Sequence, residues 1–168
     1  MNRLKNEDID KALAWGFNCG PSAICAVLDL SPEEVRPHLG DFETKGYTNP
    51  TLMIESLKRC GASYRRVYRG DFPGAVWPAL RLGVVRVQWG GPWTKPGVPM
   101  QARYRQTHWI GMRDMGKTVF DINVADERCD GWIPFELWLN KWAPWICKEG
   151  VPKSDGTFWP THAFEVNP

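Results

Sequence analysis

The chain has 168 residues, 43% of them hydrophobic and 24% charged, the proportions of an ordinary soluble globular protein. At this length residues 1–168 read as a single domain, which buries roughly two thirds of its unfolded surface. A net charge of +2 without a long Lys/Arg run gives no electrostatic footprint for nucleic acid. No apolar run approaches the roughly 20 residues of a membrane span, so no membrane-spanning segment is expected. The start, Met1-Asn2-Arg3-Leu4-Lys5-Asn6-Glu7-Asp8, is polar where a signal peptide is apolar. Five cysteines, with no CxxC pair and no Cys/His cluster at zinc spacing, suit a reducing cytoplasm and suggest neither metal nor cofactor.

In chain order, the first half reads as helices. Cys19 to Leu30 is apolar on most faces, as suits a central buried helix. Ser31-Pro32-Glu33-Glu34 is a capping box with Pro at the first helical position. Asn49-Pro50 opens a third helix that directs Leu52, Met53, Leu57 and Cys60 inward and stops at Gly61. A short fourth helix is expected from Pro78 to Gly83. Arg65-Arg66-Val67-Tyr68-Arg69 alternates basic and aromatic residues and reads as a solvated strand face.

The second half reads as strands. Val84 to Trp89 is rich in β-branched residues and stops at Gly90-Gly91-Pro92. A long Gly/Pro-rich loop, 90–104, follows. Gln106–Arg113 and Lys117–Asn123 flank the hairpin signal Asp114-Met115-Gly116. Pro134–Trp142 reads as a helix and Thr157–Val166 as a last strand. Ten tryptophans, eight of them from Trp89 onward, read mainly as an aromatic core. Helices first and an antiparallel sheet second is an α+β pattern.

Chemistry concentrates on Cys19, in Asn18-Cys19-Gly20-Pro21-Ser22-Ala23 at the mouth of the apolar helix. Unpaired N–H groups and about half a positive charge at a helix N-terminus favour thiolate over thiol. Gly20 permits close approach of a substrate backbone, and Pro21 pre-sets the first helical turn. A buried structural thiol is the commoner fate of a lone cysteine, and it is the reading expected for Cys25, Cys60 and Cys147. Cys129 falls in a polar loop.

Of the three histidines, His38 and His162 read as surface or packing residues, whereas the hairpin gives His108 a neighbour. A two-residue loop at Met115-Gly116 pairs positions whose numbers sum to 231. His108 then opposes Asn123, with Asp121 its diagonal neighbour on the same face. A slip of two in the sum puts Asp121 opposite, and only a slip of one sends both partners to the other face. Either Asp121 or Asn123 therefore reaches the imidazole in any odd-sum register. A nucleophile, a base and an orienter are what a cysteine hydrolase requires. A histidine merely satisfied by a nearby carboxylate is the alternative.

Cys19-Gly20-Pro21-Ser22-Ala23 at a helix start, the strand Gly83 to Trp89, His108-Trp109 and Val119-Phe120-Asp121 resemble, in this order, papain-fold cysteine peptidases. The likeness is closest to the bacteriocin-processing, double-glycine-leader peptidase group and covers about residues 17–123. The resemblance implies N-terminal helices packed on an antiparallel sheet, with Cys19 as nucleophile, His108 as general base and Asp121 as orienter, Asn123 being the alternative. It implies hydrolysis of a peptide or related amide in a peptide or protein substrate through a thioester. Such enzymes carry a Gln a few residues before the Cys, and Leu13 to Asn18 contains none. Asn18 becomes the first candidate donor to the oxyanion, with Gln88 a second amide without motif support. A non-catalytic module holding a peptide partner in the same groove is the other reading, with Gly20, Trp89 and Trp109 as groove candidates. Acyl transfer instead of hydrolysis is a third.

Overall fold

Caps decide where the helices of the first half begin and end. The computed structural model describes residues 6–70, 72–104, 106–126 and 128–168. After α1 (Asn6–Leu13), Asn18 caps α2 (Cys19–Leu28), its side chain accepting from the Gly20 N–H. Helix α2 stops two residues short of the expected Leu30. Asp29 turns left-handed at φ 55°, and both its N–H and that of Leu30 return to the Cys25 carbonyl. The Ser31/Glu34 capping box forms in both directions and starts α3 (Pro32–Val35). A one-turn α4 (Phe42–Lys45) leads to α5 (Pro50–Arg59), capped by Asn49 at 2.8 Å from the Leu52 N–H.

The strands are β1 (Ser63–Arg69), β2 (Leu82–Trp89), β3 (Thr107–Arg113), β4 (Thr118–Phe120), β5 (Trp132–Pro134) and β6 (Phe158–Asn167). Among the described residues they form one sheet in the order β1-β6-β2-β3-β4-β5, antiparallel at every pairing. The last strand thus lies between the first two. The helix expected over Pro78–Gly83 does not form. Six residues without a cap are too few to nucleate one, and Leu82 and Gly83 pair with Arg113 and Met112 instead. Gly83 suits this strand, because a Cβ there would collide with the Phe164 carbonyl.

Within the expected 90–104 loop sit a 3₁₀ turn, Pro92–Thr94, and the one-turn α6 (Met100–Arg103). The helix expected from Pro134 starts one residue later. It runs as α7 (Phe135–Leu137) and α8 (Ala143–Trp145), with π-helical turns at Trp138–Trp142 and Ile146–Gly150. Pro144 inside this run supplies no N–H, which accounts for a ladder other than uniform α.

Helical cover lies on both faces of the sheet, not only on the one that the N-terminal helices were expected to occupy. Ile24, Val27, Met53 and Leu57 of α2 and α5 pack with Val84, Trp109 and Phe164 on one side. Trp138, Ala143 and Ile146 pack with Val85, Val87, Ile110 and Met112 on the other. The architecture is α+β. Among the described residues no helix is long and apolar enough to cross a membrane.

Candidate active site

Cys19 is the first residue of α2, placed there by the Asn18 cap. The Gly20 N–H goes to Asn18 Oδ1 at 3.2 Å and the Ser22 N–H to the Asn18 carbonyl at 3.0 Å, while Pro21 has no N–H. The Cys19 N–H is therefore the first-turn donor without an acceptor among the described residues, and it points outward from the positive end of the helix. Cys19 itself is half-buried, at the edge of a cavity of about 600 Å³.

His108 reaches this thiol from β3. Gly111 pairs with Phe120 and Arg113 with Thr118, so the hairpin register sums to 231, as expected for a central Met115-Gly116. The turn is longer than two residues, however. Asp114, Met115 and Gly116 all adopt positive φ, and the ladder resumes only at Arg113/Thr118. It also ends sooner, at Phe120, where a 3₁₀ turn over Ile122–Val124 begins. His108 consequently has no Asn123 opposite it. Asp121 caps that turn and takes the imidazole, Oδ1 lying 3.0 Å from His108 Nε2. With Nε2 held there, Nδ1 is the ring nitrogen left for the hydrogen bond that joins His108 to Cys19.

Both members of this pair are sealed from water. His108 is 6% exposed and Asp121 is fully buried. Asp121 Oδ1 also accepts from the Asn123 backbone at 2.9 Å and from Asn123 Nδ2 at 3.0 Å, and Oδ2 accepts from Trp138 Nε1 at 2.8 Å. Asn123 thus braces the carboxylate, and its Nδ2 stands 3.5 Å from His108 Nε2. The Trp89 ring stacks on the imidazole at 5.8 Å.

Charge follows from this packing. Burial would push the Cys19 thiol up, but the His108 charge, the hydrogen bond from His108 and the Trp109 backbone N–H together hold it below the ordinary thiol value. Burial would likewise lower His108, yet the Asp121 carboxylate and the Cys19 thiolate raise it to about 10. Asp121 is pushed up by burial and brought down further by His108, Trp138 and Asn123. The arrangement favours thiolate beside imidazolium near neutral pH. By contrast, burial raises Cys25, takes Cys60 to about 11 and raises Cys147. The thiol that the hairpin serves is the one held down.

The remaining expected residues divide. Asn18 lines the cavity with Cys19, but its amide is engaged: Oδ1 caps α2 and Nδ2 donates to the Gly46 carbonyl at 3.0 Å, which leaves one N–H. Trp109 lines the cavity and fixes its rim, its Nε1 donating to the Thr48 carbonyl at 2.7 Å. Gly20 is buried beneath Thr48, with whose side chain a Cβ would collide, so its smallness serves internal packing and not the groove. Trp89 is core, 3% exposed, between His108 and Phe158. Gln88 is fixed on the Trp89, Arg103 and Gln106 carbonyls at 2.9, 2.8 and 3.0 Å, away from Cys19. Sequence reasoning missed Trp138 and Arg86, since a helix-face tryptophan and a strand arginine carry no local mark of what they meet across the fold. Among the described residues no group of three or more His, Cys, Asp or Glu could hold a metal ion. In comparison with known proteins, no family model, no curated protein and no solved structure matches the chain.

Proposed function

We propose that the chain is a cysteine hydrolase of papain-like fold that cleaves a peptide or related amide bond through a thioester intermediate. The observation that carries this reading is the hydrogen-bonded line Asp121–His108–Cys19, buried at its base and open to a cavity at its sulfur end. Cys19 is the nucleophile, His108 the acid and base, and Asp121 the orienter. The five free thiols suit a reducing, cytoplasmic setting.

The Cys19 thiolate adds to the substrate carbonyl carbon, and its Sγ–C bond forms as the carbonyl π electrons move to oxygen. The Cys19 N–H and the remaining Asn18 amide N–H are the donors available to that oxyanion. The C–N bond then breaks, and the His108 imidazolium gives its proton to the leaving amine. Neutral His108 next takes a proton from water, the hydroxide adds to the thioester, and the C–S bond breaks. The acid leaves and the thiolate–imidazolium pair is restored. An amine admitted in place of water turns the same sequence into acyl transfer.

One observation favours a second reading, a module that binds a peptide partner without turning it over. The Asn18 amide is largely committed to the helix cap and to Gly46, so the oxyanion donor set is thin. Iodoacetamide labelling near neutral pH, followed by comparison of cleaved proteins in cells carrying the wild type or Cys19→Ala, separates the two. Labelling of Cys19 well ahead of Cys60 and Cys129, with cleavage lost in the variant, is expected. Labelling of Cys19 at the rate of an ordinary thiol would overturn the hydrolase.

A further inference from the structure

Gln88 of β2 and Trp159 of β6 stand directly opposite each other, both almost fully buried, and both line a cavity of about 220 Å³. Gln88 follows Arg86 by two residues, so this second cavity lies on the sheet face that carries the Cys19 cavity. Helix α6 contributes to both, with Gln101 in the wall of the first and Arg103 in the wall of the second.

The carbonyls of Trp89, Arg103 and Gln106 all accept from Gln88 Nε2, which settles the orientation of the amide. Oε1 is the end left over, and it has no hydrogen-bond partner among the described residues. Trp159 Nε1, a donor only, has none either. Residues opposed across antiparallel strands have Cβ atoms about 5 Å apart. An unpaired acceptor and an unpaired donor are thus neighbours in one cavity wall without bonding to each other. Buried polar atoms are nearly always paired, and two left open together mark a place for a ligand that pairs both. The other side chains of the lining do not supply these bonds. Pro73 and Pro96 are apolar, Thr94 exchanges hydrogen bonds with the Gly91 backbone, and Arg103 Nε donates to the Val98 carbonyl at 3.0 Å.

We infer that this cavity binds a primary carboxamide. In that group the carbonyl oxygen and one N–H lie on the same edge, so it accepts from Trp159 Nε1 and donates to Gln88 Oε1 at once. A trans peptide group puts its N–H and oxygen on opposite edges, and a carboxylate only accepts. The volume is below the ~300 Å³ at which pockets for drug-sized ligands begin. The occupant is therefore an Asn or Gln side chain or a free amide of similar size. Cys19 takes no part in this site, so the inference does not rest on the hydrolase reading.

The test follows the indole N–H of Trp159 by NMR of the full-length protein carrying isotope-labelled tryptophan, the resonance being assigned by its absence from Trp159→Phe. Acetamide is expected to shift it saturably, with a roughly millimolar Kd. N-methylacetamide, whose amide is trans, and acetate, which has the same shape but no N–H, are expected to bind at least about tenfold more weakly. In Trp159→Phe, with its other indole resonances in place, saturation transfer to the acetamide methyl is expected to show affinity reduced about tenfold. Free L-glutamine and acetyl-glycyl-glutaminyl-glycine N-methylamide then separate the sources. Saturation by the amino acid alone names a small molecule, and saturation by the peptide names a side chain within a chain. Acetate or N-methylacetamide binding as well as acetamide overturns the inference. So does a Trp159 resonance that acetamide never saturates, the result for a cavity that holds only water and one that needs no variant to fold.

Discussion

Asp121 is a fully buried carboxylate that accepts from His108, Asn123 and Trp138. A buried charge is costly unless every lone pair is engaged, and here donors surround both oxygens. Trp138→Phe keeps an aromatic side chain but removes the N–H from Oδ2 and leaves space where the larger, fully buried indole packed. It should lower stability by about 1–3 kcal/mol, read as a fall of several degrees in the melting midpoint. His108→Ala isolates the other end of the line. Without the imidazolium, burial, the largest influence on Cys19, is opposed only by the Trp109 backbone N–H, and the thiol rises. Labelling by iodoacetamide at pH 7 should then fall roughly tenfold or more, because an ordinary thiol is only a few per cent thiolate there. An unchanged rate would mean that the helix end, and not His108, sets this thiol.

At the scale of elements, the mouth of α2 and the rim formed by residues 46–50 are locked together. Gly20 lies under Thr48, the Thr48 carbonyl takes the Trp109 indole, and Asn18 holds the Gly46 carbonyl. Gly20→Ala should force the rim away from the helix and cost about 1–3 kcal/mol, measured by urea unfolding. The hairpin is the second such element. Its odd-sum register puts the His108 and Asp121 side chains on one face, but the early end of the ladder at Phe120 chooses Asp121 over Asn123 as the direct partner.

For the whole molecule, the pair has a signature in stability against pH. His108 is raised, so its contribution is complete below about 6.5 and is lost as pH climbs to about 10. Cys19 is lowered, so its contribution is present above about 8.5 and is lost as pH falls. Between those two unfolded values the slopes cancel, since folded and unfolded chains each hold one proton on the pair. Stability should be flat there and should decline from about pH 8.5 to 10. Asp121, lowered in the fold, adds a decline below about pH 4. In Cys19→Ala only the histidine slope remains, and the alkaline decline should begin near pH 6.5. Chemical denaturation across this range checks it, and a wild type that declines steadily from pH 6.5 would show that no thiolate–imidazolium pair forms.

By itself the sequence determined what short-range physics can decide: the caps at Asn18, Ser31 and Asn49, the α+β order of elements, the strands β2, β3 and β6, and the parity that joins His108 to Asp121 or Asn123. It misjudged Pro78–Gly83 because the pairing of Leu82 and Gly83 across the sheet outweighs a weak local helix signal. It read Gly20 and Trp89 as groove residues, since nothing local reveals the Thr48 side chain over one or the imidazole against the other. Only the tertiary structure decided that Asp121 takes the imidazole, that Trp138 of the C-terminal helical layer holds its other oxygen, and that Arg86 stands in the Cys19 cavity. Those contacts join residues distant in the chain, and their energies depend on burial and approach, which exist only once the sheet has closed between its two helical layers.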